Sequence, residues 1–236
     1  MTITLNFMIK HANGTTEPVA VTVRKMINAG YTGRDQAAVQ AHIDELKEEG
    51  IPAPDKVPTY FPKFVDRLTQ AESFEVLDES DHSGEAEFVL IFHQGRILVG
   101  VGSDHTDRRL ETVDIPKAKQ VYPNTISREL WSLDEIRDHW DAISLKSWVG
   151  TGGGKVLFQQ APLAAMLAPD DLMARVKKLL ADPNDTEGLV IYSGTVAALV
   201  KTDYSPNFET ALEDPVLNRQ ISQRYTLKPV SDWYCN

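Results

Sequence analysis

EAEFVLIFHQGRILVGVGSD, residues 85–104, is the stretch on which the fold turns. Two strand-length runs, EAEFVLIFH and RILVGVGSD, are joined by His93-Gln94-Gly95, a short glycine-containing connection of the kind that closes a hairpin. Downstream, Ser132-x-x-Glu135 reads as a capping box opening the short helix LDEIRDHWDAI. ISLKSWV and KVLFQ form a further hairpin around a glycine run. Pro169, Asp170 and Asp171 start a helix that turns Leu172, Val176, Leu179 and Leu180 inward. GLVIYSG, AALVK, FETALEDP and ISQRYTLKPV complete a strand-rich C-terminal part. Many strands with few helices predict an α+β protein built on a rolled or barrel-like mixed sheet.

Upstream, residues 2–9 and 19–24 alternate with period two around Asn13-Gly14, a second hairpin signal. Val39, Ile43 and Leu46 recur at helical spacing in the next segment, which Thr32 or Gly33 can start and Gly50 with Pro52 can stop. Residues 51–63 carry four prolines and read as an extended connector. The expected division is a small N-terminal α/β portion, 1–70, packed on a core spanning 71–236, the two forming effectively one unit.

The 236 residues hold 24 Lys+Arg against 34 Asp+Glu, a net charge of −10. That balance argues against a nucleic-acid binder, which needs clustered cations. No run approaches the ~18 apolar residues of a membrane span. The N-terminus lacks the charged-then-apolar plan of a signal peptide. Cys235 is the one cysteine, which excludes an intrachain disulfide and a cysteine metal cluster. A cytoplasmic, soluble protein is expected. The run 150–155 (GTGGGK) is not a phosphate loop, because the required spacing and the Ser/Thr after Lys155 are missing.

Three features carry chemistry. Glu85 and Glu87 are i and i+2 on a strand, so both carboxylates share a face. Like charges so placed repel, and a hard divalent cation with oxygen ligands is one resolution, a solvated strand edge another. Asp104, across the hairpin in the polar stretch GSDHTDRRLE, is near enough in topology to be a third ligand; the stretch would equally make a turn held by Asp–Arg pairs. His42 and Glu45, i and i+3 on the predicted helix, suit a carboxylate-oriented general base or a half-buried structural histidine.

The order of these features resembles the fumarylacetoacetate hydrolase superfamily. TGRDQAAVQAHIDEL is similar to its Asn-Tyr-x-x-His-x-x-Glu helix and VPTYFPK to its Pro-x-x-Phe-x-Lys segment. SGEAEFVLI is similar to its metal strand and GSDHTDRRLE to its Asn-Asp-x-Ser/Thr-x-Arg-Asp turn. Lys119 falls at its active-site lysine, and Ser193-Gly194-Thr195 at its Thr-Gly-Thr. The SGE-x-E and GSDHTDR stretches most resemble its prokaryotic DUF2848 branch. Ser103 and Arg109 depart from the superfamily's asparagine and aspartate, and the tyrosine of the helix motif has no clear counterpart.

The resemblance implies a β-roll in which Glu85, Glu87 and Asp104 hold Mg2+ or Mn2+. His42 and Glu45 would activate water, Lys119 would stabilise negative charge, and Thr195 would position substrate. Arg34 and Arg108 would bind a substrate carboxylate, with His105, Ser193 and Gly194 as further substrate contacts; Arg108 could equally brace the Asp104 turn. The implied activity is hydrolysis of a C–C bond in a 1,3-diketo acid or vinylogue through a metal-bound enolate, in a homodimer. Decarboxylation, tautomerisation or hydration of an oxo acid, C–N ring opening, and non-catalytic binding of a small acid are the alternatives.

Overall fold

The structure, a computed structural model, describes residues 1–48, 53–54, 56–151, 154–201 and 204–234. The side chains of His42 and Leu46 lie outside the described residues, as do Gly50, Pro52 and Cys235. Among the described residues, ten strands make one curled half-barrel sheet. Edge to edge, its main path runs Thr16–Val23, Ile3–Lys10, Glu129–Ser132, Arg96–Asp104, Ala86–His93, Leu189–Tyr192, Lys25–Gly30 and Thr59–Pro62. Asn124–Ile126 takes the far half of the Arg96–Asp104 edge and pairs in parallel with Leu68–Thr69. A second sheet orders Gly154–Pro162, Ser144–Thr151, Asn207–Asp214, Arg219–Pro229 and Ser73–Val76.

The central hairpin pairs Ala86 with Ser103 through to His93 with Arg96. Gln94 and Gly95 both take positive φ, 50° and 75°, which matches the right-handed twist of the strands they join. Every residue of Ala86–His93 is buried, because the strand is covered on both faces. Phe88, Leu90 and Phe92 pack with Trp131, Trp140, Leu145 and Leu212. Val89 and Ile91 face the other way, against Phe7, Ile9, Leu98, Ile126 and Tyr192. A third cluster, including Tyr122, Phe208, Tyr225 and Leu227, lies against the second sheet.

Several elements differ from the sequence reading. The first 70 residues are built into the roll: five of their strands are members of the ten-stranded sheet. Lys25–Gly30 pairs in parallel with Leu189–Tyr192, a partner too distant in sequence for local pattern to reveal. Residues 197–201 form no strand; Ala198 makes an isolated bridge to Gln159, and Leu199 and Val200 are exposed. Upstream, Gly194 gives its N–H to Glu87 and Val196 gives its carbonyl to the Gln159 amide, which takes the backbone off the sheet. Leu179 lies beyond the helix Pro169–Lys177 and is exposed, whereas Leu172 and Val176 are buried. The proposed capping box is not closed: Ser132 makes no side-chain cap, and Glu135 instead accepts the N–H of Ala12 and meets His11.

Candidate metal centre

Hairpin register builds the centre. Glu87 lies opposite Gly102, and Glu85 exchanges two backbone hydrogen bonds with Asp104, of 3.1 and 3.0 Å. Alternation then turns the three carboxylates to one side, with ligand atoms within 4.8 Å of one another. Gly102 is required between them: a Cβ there would collide with the Thr125 carbonyl and lie 2.9 Å from the Tyr192 hydroxyl.

Each carboxylate has a different surrounding. Glu85 Oε1 accepts from Arg108 Nη1 at 2.9 Å, and Oε2 accepts from Lys119 Nζ at 2.7 Å. Glu87 Oε2 accepts the Gly194 N–H at 2.7 Å. Asp104, 1% exposed, has no hydrogen-bond partner on either oxygen. Lys119 Nζ is 3.0 Å from Oδ2 and Lys63 Nζ 3.6 Å from Oδ1, close enough for ion pairing but out of hydrogen-bonding alignment.

Lys119 comes from the helix Ile115–Val121, whose start is capped by the Asp114 side chain accepting the Lys117 N–H. Its ammonium also donates to Thr106 Oγ1 at 3.1 Å and lies 3.6 Å from Glu111. Arg108 reaches Glu111 at 2.8 Å and donates to Ser83 Oγ. Four buried or nearly buried carboxylates, Glu85, Glu87, Asp104 and Glu111, therefore face three cations, Lys63, Arg108 and Lys119.

These surroundings push the ionisations apart. Burial opposes the charge of Glu85, but Lys119 and Arg108 prevail and lower its carboxyl to about 2. Glu87 goes the other way: burial, then Asp104 and Glu85, raise it well above the usual range. Burial alone would depress Lys119, yet Asp104, Glu85 and Glu111 hold it well above its ordinary value. Lys63, buried with its ammonium donating to the carbonyls of Lys119 and Tyr122, is lowered chiefly by that burial.

The structure therefore brings Glu85, Glu87, Asp104, Lys119 and Arg108 together, and Gly194 joins them through its backbone. Arg108 braces Glu85 and Glu111. Thr195 Oγ1 donates to the Ala86 carbonyl and accepts from Gln159 Nε2, both at 2.8 Å, which ties it to the start of the Ala86–His93 strand. Ser193 Oγ donates to the Gly194 carbonyl. Gly194 needs its φ of +81° and its missing side chain, since a Cβ would lie 2.7 Å from Thr32 Oγ1.

His105 alternates to the outer side, where it meets Tyr225 and His82. Arg34 is engaged elsewhere, in a two-bond pair with Asp141 of 2.9 and 2.5 Å. Glu45 is exposed on the helix Gln36–Glu48, and the His42 side chain is outside the described residues.

Lys63 and Glu111 were not singled out by motif chemistry, although VPTYFPK and GSDHTDRRLE contain them. Tyr31 is a third addition. It takes φ +56°, an uncommon state for a residue with a side chain, and such states cluster at functional sites. Its phenol is raised by burial and then by Glu111 and Glu85. Glu111 also lies on the wall of a 720 Å³ cleft lined by Pro54, Pro58, Phe61 and Ile115.

Residues 29–225 match the family described as "Protein of unknown function (DUF2848)". The chain belongs to that family. No curated protein matches this DUF2848 member. Its fold is shared with Cg1458 in complex with an inhibitor, at 15% identity and TM-score 0.63, over 96% of this chain and 89% of that one. It is shared also with 2-keto-3-deoxy-D-arabinonate dehydratase complexed with magnesium and 2,5-dioxopentanoate, at 14% identity and TM-score 0.58, over 87% and 73% of the respective chains. Both have the fumarylacetoacetate hydrolase superfamily fold, the α+β roll expected from the sequence.

Proposed function

We propose that the protein is a divalent-metal-dependent enzyme acting on a small oxo acid, with Glu85, Glu87 and Asp104 as ligands for Mg2+ or Mn2+. The observation that carries this reading is Asp104, a buried carboxylate with neither oxygen hydrogen-bonded, beside two further carboxylates. Lys119 and Lys63 offset its charge without bonding to it, and the crowding of three buried carboxylates is relieved by a further cation or by a proton on Glu87. Hard oxygen donors suit either ion. When bound, the ion would supply Lewis acidity to the oxo-acid end of a substrate.

The remaining work falls to the chain. Glu85 is held ionised by Lys119 and Arg108, whereas Glu87 must release its proton to become a ligand. Lys119, kept charged by three carboxylates, is a poor base and a good fixed cation for developing negative charge. Tyr31 and Glu111 stand at the same cluster and can orient the polar groups of a substrate.

Hydrolysis of a C–C bond in a 1,3-diketo acid is the first reading, with His42 and Glu45 as the water-activating pair on the strength of the motif resemblance. Loss of water from an oxo acid is the second. It is favoured by the dehydratase of like fold that was captured with magnesium and an oxo acid, and by the exposure of Glu45. A homodimer is part of the proposal on the resemblance.

Calorimetric titration of metal-stripped protein with Mn2+, alongside Glu87→Ala, tests the centre: saturable binding is expected in the first and none in the second. Equal binding in both, or none in the wild type, would overturn the metal assignment. Incubating the loaded protein with acylpyruvates and with 3-deoxy-2-oxo sugar acids separates the readings, since the former yield two acids by cleavage and the latter lose water intact.

A further inference from the structure

We propose that Ser103, Tyr225, His105 and His82 form a one-way hydrogen-bond chain of neutral groups that positions the Glu85–Asp104 pair for its metal ion. This rests on the metal reading above. These side chains lie behind the ligand strands, on the face opposite the carboxylates, and the proposed chemistry uses none of them.

The acceptor at one end sets the direction. His82 Nε2 is 2.8 Å from the Asp78 carbonyl oxygen, which can only accept, so Nε2 carries the hydrogen. In a neutral ring Nδ1 is then an acceptor, and His105 Nε2 donates to it at 2.8 Å. His105 Nδ1 is left unprotonated and accepts the Tyr225 hydroxyl at 2.9 Å. The phenol oxygen accepts from Ser103 Oγ at 3.1 Å, and Ser103 Oγ accepts the Glu85 N–H, also at 3.1 Å. Each group donates once along the line, so two neutral rings satisfy the whole chain.

The far end is the functional one. The Glu85 N–H that meets Ser103 is the same one that bonds the Asp104 carbonyl, so the chain closes on the bridge that sets two ligand residues opposite each other. Gly84, just before Glu85, is shaped for it: a Cβ there would collide with the Tyr225 hydroxyl and lie 2.7 Å from Ser103 Oγ. Phe74 and Tyr122 pack on His105 with centroids 5.3 Å away, closing the chain from water. Hydrogen bonds in such surroundings are stronger and their geometry stiffer. Outer partners of metal ligands typically govern about 10–100-fold in metal affinity.

The test compares Tyr225→Phe with Leu227→Ala, a neighbour in the same apolar cluster that loses packing but leaves the chain intact. Mn2+ affinity of each metal-stripped protein is measured by electron paramagnetic resonance, and the ring tautomers of wild type by 15N NMR. The expected result is about tenfold or greater weakening in Tyr225→Phe, less than about twofold in Leu227→Ala, and an unprotonated His105 Nδ1 with protonated Nε2. Gly84→Ala should weaken binding as Tyr225→Phe does. Binding in wild type with equal affinity in Tyr225→Phe, or equal weakening in Leu227→Ala, overturns the positioning role. A protonated His105 Nδ1 overturns the chain even if Tyr225→Phe fails to fold. No Mn2+ binding by wild type instead overturns the metal reading and the proposal with it, a result distinct from either.

Discussion

The two faces of the hairpin end solve the burial of polar groups in opposite ways. Inward, Glu85, Glu87 and Asp104 are packed with Lys119 and Lys63, so charge is answered by charge, and Asp104 is left without a hydrogen bond. Outward, Ser103, His105, His82 and Tyr225 carry no charge in the chain inferred above, and each is satisfied by its neighbour. Alternation along one strand separates the two sets by a single residue, Asp104 from His105. A hydrogen-bonded neutral set is complete in itself, whereas a set with an excess of carboxylate needs either a proton, as Glu87 takes in metal-free protein, or another cation. The difference is what supports reading the inward face as the working one and the outward face as its support.

Removing the inward cation should have the largest effect. Lys119→Met leaves Glu85, Asp104 and Glu111 short of their shared partner, and breaking a buried pair in this way costs about 3–5 kcal/mol. Urea unfolding should register that loss, and turnover on any substrate found should fall about 10²–10³-fold. An equivalent effect from an outward substitution would erase the contrast between the faces.

Acidity sharpens the comparison at intermediate size. Glu87 is raised in the folded state, so in metal-free protein its contribution is fully present below the usual carboxyl value of 4.5 and is lost as pH rises through the raised value. Glu85 is lowered to about 2, so its contribution is present above 4.5 and is lost as pH falls toward 2. Metal-free protein should therefore gain stability from Glu87 as pH falls toward 4.5 and lose Glu85's contribution below it. Glu87→Gln should abolish the gain and keep the loss, as read from urea midpoints against pH. Below the raised value, Mn2+ binding should also release a proton, visible as a buffer-dependent calorimetric heat.

The smallest effect is expected away from both faces. Arg34→Ala removes a partly exposed pair with Asp141, for which about 0.2–1 kcal/mol is typical. Because Asp141 and the Met166 carbonyl hold Arg34 away from the inward carboxylates, KM should stay close to the wild-type value; a rise beyond about tenfold, about 1.4 kcal/mol, would place Arg34 in the substrate site after all.

How much of this was legible follows from range. The hairpin was readable because its determinants are local: two apolar runs, a turn with glycine, and register that places Glu85, Glu87 and Asp104 on one side. Lys119 was found by motif order, and its helix start is again a local matter of Asp114 and Pro116. Residues 197–201 looked like a strand and are not, because apolar composition does not supply a ladder partner. Glu135 looked like a cap and is a tether for the Ala12 turn, a contact made across the fold. Lys63 stood in a quoted motif, but nothing local says that its ammonium is buried between Asp104 and two backbone carbonyls.

By itself, then, the sequence determined the elements and the chemical inventory: a strand-rich α+β chain, paired carboxylates on one strand and a third across a turn. Side-chain alternation and turn chemistry act over a few residues, and their consequences can be read from order alone. Only the tertiary structure decided that the N-terminal strands belong to the roll and that Arg108 braces Glu85 and Glu111. It alone decided that Arg34 pairs with Asp141 and that His105 faces a tyrosine rather than the carboxylates. Those outcomes depend on which distant segments share a buried volume, and there the energetics of burial choose each group's partner.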